Sequence, residues 1–466
     1  MINLSQPIDL TDPDAEAFLR GIQGNIIKGH GRDHTSHLIL KIIGEIPAAK
    51  KWIADFSQKF VTSAAASNRM TMSWKADVNS AGEPFFMFLL TAEGYRKLGF
   101  TDQQIPSPMN IPFGGVQFDP YFKLGMKVQT DNSLPRKLPD PPVDQWETPY
   151  QDTIHAMVLL ADDSKERLEH SITEISNSIK GIFQTLTIER GDVLRKKFLR
   201  GELVVEHFGF QDGISQPLMI RQDIDKEIAK RGNAHWDPSA PLSLVLVEEP
   251  VAPGNYGSFM VFRKLEQNVK SFWESVEELA GKLGKPVDES AALAVGRSQD
   301  GIPLLPTAVI VDGTDANDFH YDQDDKALLC PFHAHIRKTN PRGDVPRNLP
   351  APAEFERFRR VVRRGITYGY RPDIGLPSGG SRPEKEVGLL FMCFQSNLDQ
   401  FVIQQEGSDE KDFVVEGVGP DATIGQSSAP VPQTWPGNVK HTMANFVKLK
   451  GGEYFFSPSI SFLTGL

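Results

Sequence analysis

The chain has 466 residues, 39% hydrophobic and 24% charged, which are the proportions of a globular protein with room for two or three domains. A formal net charge of −10 and only short basic runs exclude nonspecific nucleic-acid binding, which needs clustered cations against phosphates. No apolar run approaches the ~20 residues that cross a bilayer. Two cysteines, Cys330 and Cys393, exclude a disulfide framework. Without a basic and then apolar leader at Met1, a cytoplasmic location is expected.

In chain order, residues 37–43 and 85–90 are short, apolar and partly β-branched or aromatic, so both are predicted strands. Between them Trp52, Ile53, Phe56 and Phe60 recur at helical spacing. Residues 154–160 read as a strand, and Leu168, Ile172, Ile175 and Ile179 then fall on one helical face. Strands at 183–188 and 203–208 complete a β-α-β-β unit, and the second runs straight into a tight turn at Gly209.

A second series opens with strands at 242–247 and 257–262, followed by a helix carrying Val269, Phe272, Val276, Leu279 and Leu283 on one side. Strands at 366–370, 387–395 and 454–456 follow. Helices lying on antiparallel strands in both series predict an α+β fold of two ferredoxin-like domains, residues 1–235 and 236–466. Proline and glycine make loops of 102–150, 248–256 and 406–437, read as surface loops or an oligomer contact, so a homo-oligomer is allowed.

Three segments carry chemistry. Residues 330–342 place His333 and His335 between apolar residues and the cations Arg337, Lys338 and Arg342, the surroundings a haem iron and its propionates require. On a strand the two imidazoles would point to opposite faces, so only one could enter a given pocket. Asp212, in Gly209-Phe-Gln-Asp-Gly213, is a turn residue or an acid–base group. Arg363 and Arg364 cap a short apolar segment, or one of them offsets charge developing in the pocket of Asp212.

Together these segments, with Gly388-Leu-Leu-Phe-Met-Cys-Phe-Gln395, Ile22-Gln-Gly-Asn-Ile-Ile-Lys-Gly29 and the run from Gly257 to Gln267, resemble the dye-decolorizing (DyP-type) haem peroxidases. The matches run in order from residue 22 to about 403, and the insertions point to the larger, elaborated subgroup. The resemblance implies one haem b per chain and reduction of hydrogen peroxide to water. It also implies oxidation of bulky aromatic reductants, such as anthraquinone dyes and phenols, through a ferryl–porphyrin radical.

Carried onto matching positions, the resemblance implies His335 as iron ligand and Asp212 as acid–base residue. Arg363, the first of the pair ahead of Tyr368-Gly369, is the implied distal arginine. Gly213, Ile214, Leu389 and Phe391 line the cofactor, and Arg337 anchors a propionate. Many relatives carry glycine in place of His333. An acidic partner for His335 has no evident position. Surface Trp or Tyr residues are expected to relay electrons from dyes too large for the pocket.

Two other readings are set beside this one. A haem-handling protein would share the ligand but not need Asp212. A zinc hydrolase built on Cys330, His333 and His335 has no fourth ligand and no His-Glu-x-x-His helix.

Overall fold

The structure is a computed structural model, and it describes residues 2–76, 82–108, 120–128, 136–305, 317–375, 380–409 and 414–466. Its centre is one antiparallel sheet. From the first half of the chain come β1 (His34–Ile42), β2 (Phe85–Leu90), β3 (Ala156–Asp162) and β4 (Phe183–Asp192). Arg195–Phe198 (β5) and Gly201–Val204 (β6) form a separate two-stranded ribbon. The second half adds β7 (Tyr256–Gln267), the short β8 (Val362–Arg363), β9 (Ile366–Tyr368), β10 (Gly388–Gln395) and β11 (Val447–Ser457).

The strand order is β9-β10-β7-β11-β2-β3-β1-β4. Each half repeats one pattern, with its first and third strands in the middle and its second and fourth at the edges. This is the ferredoxin-like arrangement, made twice. The halves join where Phe456 of β11 pairs with Leu90 of β2. At the other end the Thr367 hydroxyl in β9 donates to the Asp192 carbonyl in β4, so the sheet curls until its edges meet.

Helices cover the outside because the strands are apolar on both faces; β2 and β3 are buried at every residue. The helix α1 (Ile46–Phe60) lays Ile53 and Phe56 against them, with the Phe56 ring 6.2 Å from Phe88. Ser164 caps α2 (Lys165–Ser178) by accepting the Arg167 N–H, and Leu168, Ile172 and Ile175 face inward. In the second half α3 (Val269–Leu283) is capped by Asn268 and stopped by Gly284 in a left-handed conformation. A short helix, α4 (His335–Thr339), and the mostly buried α5 (Asp399–Asp409) complete the wall of a cavity in this half.

Five sequence expectations change. Residues 203–208 are not a sheet strand, because after Val204 the chain turns back to form the loop that carries Asp212. Residues 242–247 are mostly one 3₁₀ turn, Leu242–Leu244, behind Pro241. His335 begins a helix rather than sitting on a strand. Residues 406–409 belong to α5, and several short helices interrupt 102–150. Pro112 and Pro135 of that stretch lie outside the described residues.

Candidate active site

The cavity measures about 260 Å³ and lies between the inner strands β7, β10 and β11 and the helices α4 and α5. Its apolar walls include Leu265, Val295, Ile336, Leu389, Phe391 and Leu449. Leu389 and Phe391 alternate on β10 with the fully buried Leu390, so strand periodicity delivers both to the cavity.

Asp212 reaches the cavity on a loop closed by the Val205–Gln211 bridge and by the bond from Asp212 N–H to the Val204 carbonyl, 3.1 Å. Gly209 and Gly213 flank it at φ of 98° and 80°, backbone that side chains rarely adopt. Phe208 anchors the loop by stacking on Phe272 of α3 at 4.3 Å. One Asp212 oxygen accepts the Gly213 N–H at 2.6 Å and lies 3.6 Å from Arg363 Nη1. Arg363 is held in turn by the Ile214 carbonyl at 2.7 Å, while β8 pairs with β10. Acid and guanidinium therefore share one side of the cavity. Arg364 diverges and donates to the Asn25 and Ile26 carbonyls.

On α4, His335 also lines the cavity. Its Nδ1 meets an Asp421 oxygen at 2.9 Å, leaving Nε2 for the cavity. Asp421 is wholly buried, and its other oxygen accepts the N–H groups of Thr423 and Ile424 at 2.8 and 3.0 Å. Enclosure works against a charged His335, but the Asp421 carboxylate outweighs it and raises the proton affinity of the imidazole. Burial likewise opposes the charge on Asp421, and the imidazole with two N–H donors more than reverses that. His333 points elsewhere, with its ring 4.3 Å from Trp435.

Arg337 is not in the cavity. It is buried between Asp324 and Asp344, at 2.9 and 2.7 Å, with its remaining donors on the Cys330 and Asp324 carbonyls. Every donor is committed, so the expected anchor is a core ion pair. The cations that do line the cavity include Arg297, Arg342 and Arg360. Arg342 donates to Asn317, Phe319 and Ser215, and Arg360 to the Arg357 and Ser239 carbonyls; none of these acceptors is a carboxylate. Burial, and then the neighbouring Arg297, pushes the Arg342 guanidinium down to about 9.

Arg342 and its partner Ser215 also sit at φ of 44° and 64°, strained backbone that marks a constrained site. Sequence reading missed Asp421, which lies in a Gly- and Pro-rich loop with no periodic signal. Arg342 was named only as one of the cations that follow His335, with no role of its own. Among the described residues, no group of three or more His, Cys, Asp and Glu could hold a metal ion, so Cys330, His333 and His335 are not gathered as one.

No family model matches the chain. It is 37% identical to the multifunctional dye peroxidase DyP2 of Amycolatopsis sp., over 97% of each protein. The chain belongs to the dye-decolorizing peroxidases. The solved structure of DyP2 superposes with a TM-score of 0.87 over all of both chains. The DyP-type peroxidase of Anabaena sp. does so with 0.85 at 37% identity, covering 98% of this chain and 96% of that one. The dye-decolorizing peroxidase AauDyP1 of Auricularia auricula-judae is 31% identical over 67% of this chain and 65% of its own length. This protein is thus a haem-dependent oxidoreductase that uses hydrogen peroxide. Among the described residues no helix is long and apolar enough to cross a membrane.

Proposed function

We propose that the cavity holds one haem b with its iron on His335 Nε2, and that the enzyme oxidises anthraquinone dyes and phenols at the expense of hydrogen peroxide. The observation that carries this reading is the arrangement of charge around the cavity. One imidazole is braced by a buried carboxylate, Asp212 and Arg363 form an acid–guanidinium pair, and among the described residues no carboxylate is hydrogen-bonded to Arg342 or Arg360. Two propionates suit those two guanidiniums, and a flat porphyrin suits walls of Leu265, Leu389 and Phe391. A dye-decolorizing peroxidase has been solved in complex with 2,6-dimethoxyphenol, in keeping with phenols as reductants.

Haem bound there would supply the iron and the redox chemistry that the reaction with peroxide needs. Asp212 takes the proton from the inner peroxide oxygen and returns it to the outer one, which then leaves as water. Arg363 offsets the negative charge on the departing oxygen. Leu389 and Phe391 keep bulk water away from this transfer. Asp421 accepts from Nδ1–H of His335, which fixes the tautomer and makes Nε2 the stronger donor.

Dyes too large to enter would deliver electrons through aromatic side chains. Trp236, whose ring lies 4.5 Å from the Arg342 guanidinium, is the first to test. Unchanged dye turnover in Trp236→Phe removes it from such a path. The two chain segments 1–235 and 236–466 act as ferredoxin-like halves, the first supplying Asp212 and the second His335 and Arg363. The two cysteines, both free and buried, accord with a cytoplasmic location.

Asp212→Asn tests the central claim. The reaction with peroxide should slow by a factor of about 10² to 10⁴, with haem uptake intact. An Asp212→Asn protein that reacts with peroxide at the normal rate would point to a haem-handling role instead.

A further inference from the structure

The Asp212 loop is tied down from inside by a carboxylate that the chemistry above does not use. Glu206 stands six residues before Asp212, half-buried in the cavity wall. One of its oxygens accepts the Phe210 N–H at 3.0 Å. The other accepts the Phe208 N–H at 2.8 Å and the Gln267 side-chain amide at 2.5 Å. Its own backbone closes the same loop, since the Glu206 N–H donates to the Phe210 carbonyl and the Glu206 carbonyl accepts from Gly209.

We propose that Glu206 is the positioning residue for Asp212, fixing its loop to the last residue of β7 so that the carboxyl meets Arg363. The proposal rests on the reading of Asp212 as the group that moves the peroxide proton. Gln267 ends β7, a strand of the second half, and its backbone N–H is bonded to the Val387 carbonyl at 2.9 Å. The loop belongs to the first half. Other bonds also tie that loop to the second half, His207 Nε2 to the Tyr368 carbonyl at 2.8 Å and the Gln211 N–H to the Gln299 carbonyl at 2.8 Å, and the Glu206–Gln267 bond adds a tie to the end of β7, the strand that carries Leu265.

Three N–H groups converge on the Glu206 carboxylate, so both of its oxygens serve as acceptors. Enclosure, with the Asp212 charge adding to it, raises its proton affinity above the ordinary carboxylate value, and the three N–H bonds only partly offset this. A glutamine of the same shape must turn an amino group toward an N–H donor, so it breaks at least one bond without opening a hole.

The experiment uses the haem-loaded enzyme and measures kcat/KM separately for hydrogen peroxide and for an anthraquinone dye, in E206Q, D212N and the double variant. E206Q should lower kcat/KM for peroxide by about tenfold or more, since small misplacements of reacting groups are costly. In E206Q kcat/KM for the dye should stay within about twofold, and the further loss in the D212N background should also be below about twofold, because the two residues act as one unit. Equal losses for both substrates, an undiminished loss in the D212N background, or no loss at all each overturn the proposal.

Should E206Q fail to take up haem, Gln267→Met removes one donor and leaves the loop. A smaller fall confined to peroxide supports the proposal, whereas no fall or a fall for both substrates overturns it. A D212N single variant that still reacts normally with peroxide refutes the functional reading itself, whatever Glu206 does.

Discussion

Replacing Asp421 by asparagine changes a single oxygen into an amino group at the most enclosed carboxylate of the site. One Asp421 oxygen is 2.9 Å from His335 Nδ1, and the other accepts N–H groups from Thr423 and Ile424 at 2.8 and 3.0 Å. Both faces of the carboxylate therefore meet donors. Whichever way the amide turns, its NH₂ confronts at least one of them. A buried donor left without an acceptor costs about 1–3 kcal/mol. Substituting the partner of a metal-ligating histidine costs about 10- to 100-fold in affinity or activity. With a tenfold change at about 1.4 kcal/mol, the two figures agree.

The assay is a haem titration of the apoprotein followed at the Soret band, with the iron reduction potential measured on the loaded protein. Asp421→Asn should raise the haem Kd by about 10- to 100-fold. It should also move the potential upward, because the imidazole loses the carboxylate that makes it a stronger donor. An unchanged Kd together with an unchanged potential would refute this reasoning and reduce Asp421 to a brace for its own loop.

Arg337→Met should cost about 3–5 kcal/mol in urea unfolding by leaving Asp324 and Asp344 buried without their cation, with little effect on haem affinity. A loss of haem affinity at normal stability would return Arg337 to the cavity. Arg363→Leu should slow the peroxide reaction, by about 10²-fold if it acts as a single charge-stabilising donor does. Arg364→Met should lower stability and spare that reaction, because among the described residues Arg364 bonds to backbone carbonyls alone.

Acid should destabilise the fold through its interior histidines. Burial holds His37, His155 and His207 at about 4, against an ordinary 6.5. As pH falls through 6.5 the unfolded chain takes up protons that the folded one refuses, so stability declines between about pH 6.5 and 4. Urea midpoints at pH 7, 5.5 and 4.5 should therefore fall in that order (pH values chosen to bracket the ordinary and shifted histidine ranges). A flat or rising series contradicts the assignment.

Local pattern was enough for much of the protein. The helical spacing of Val269 to Leu283 and the apolar run at 85–90 became the elements they predict, since each buries a face that only a helix or a strand can present. Alternation on one strand correctly sent Leu389 and Phe391 to the same side. The two arginines also diverge as adjacent residues do, with Arg363 toward Asp212 and Arg364 away.

Other features depend on which distant segments meet. Arg337 and Arg342 are both cations near His335 in the chain, and nothing local says that two aspartates take one and leave the other to the cavity. Asp421 lies 86 residues beyond His335 in a loop without periodicity, and only folding brings it within a hydrogen bond. Sequence by itself determined most of the strands and the long helices, because these follow from side-chain period and burial. The tertiary structure alone decided which charges are paired, because pairing depends on distances between segments that share no local pattern.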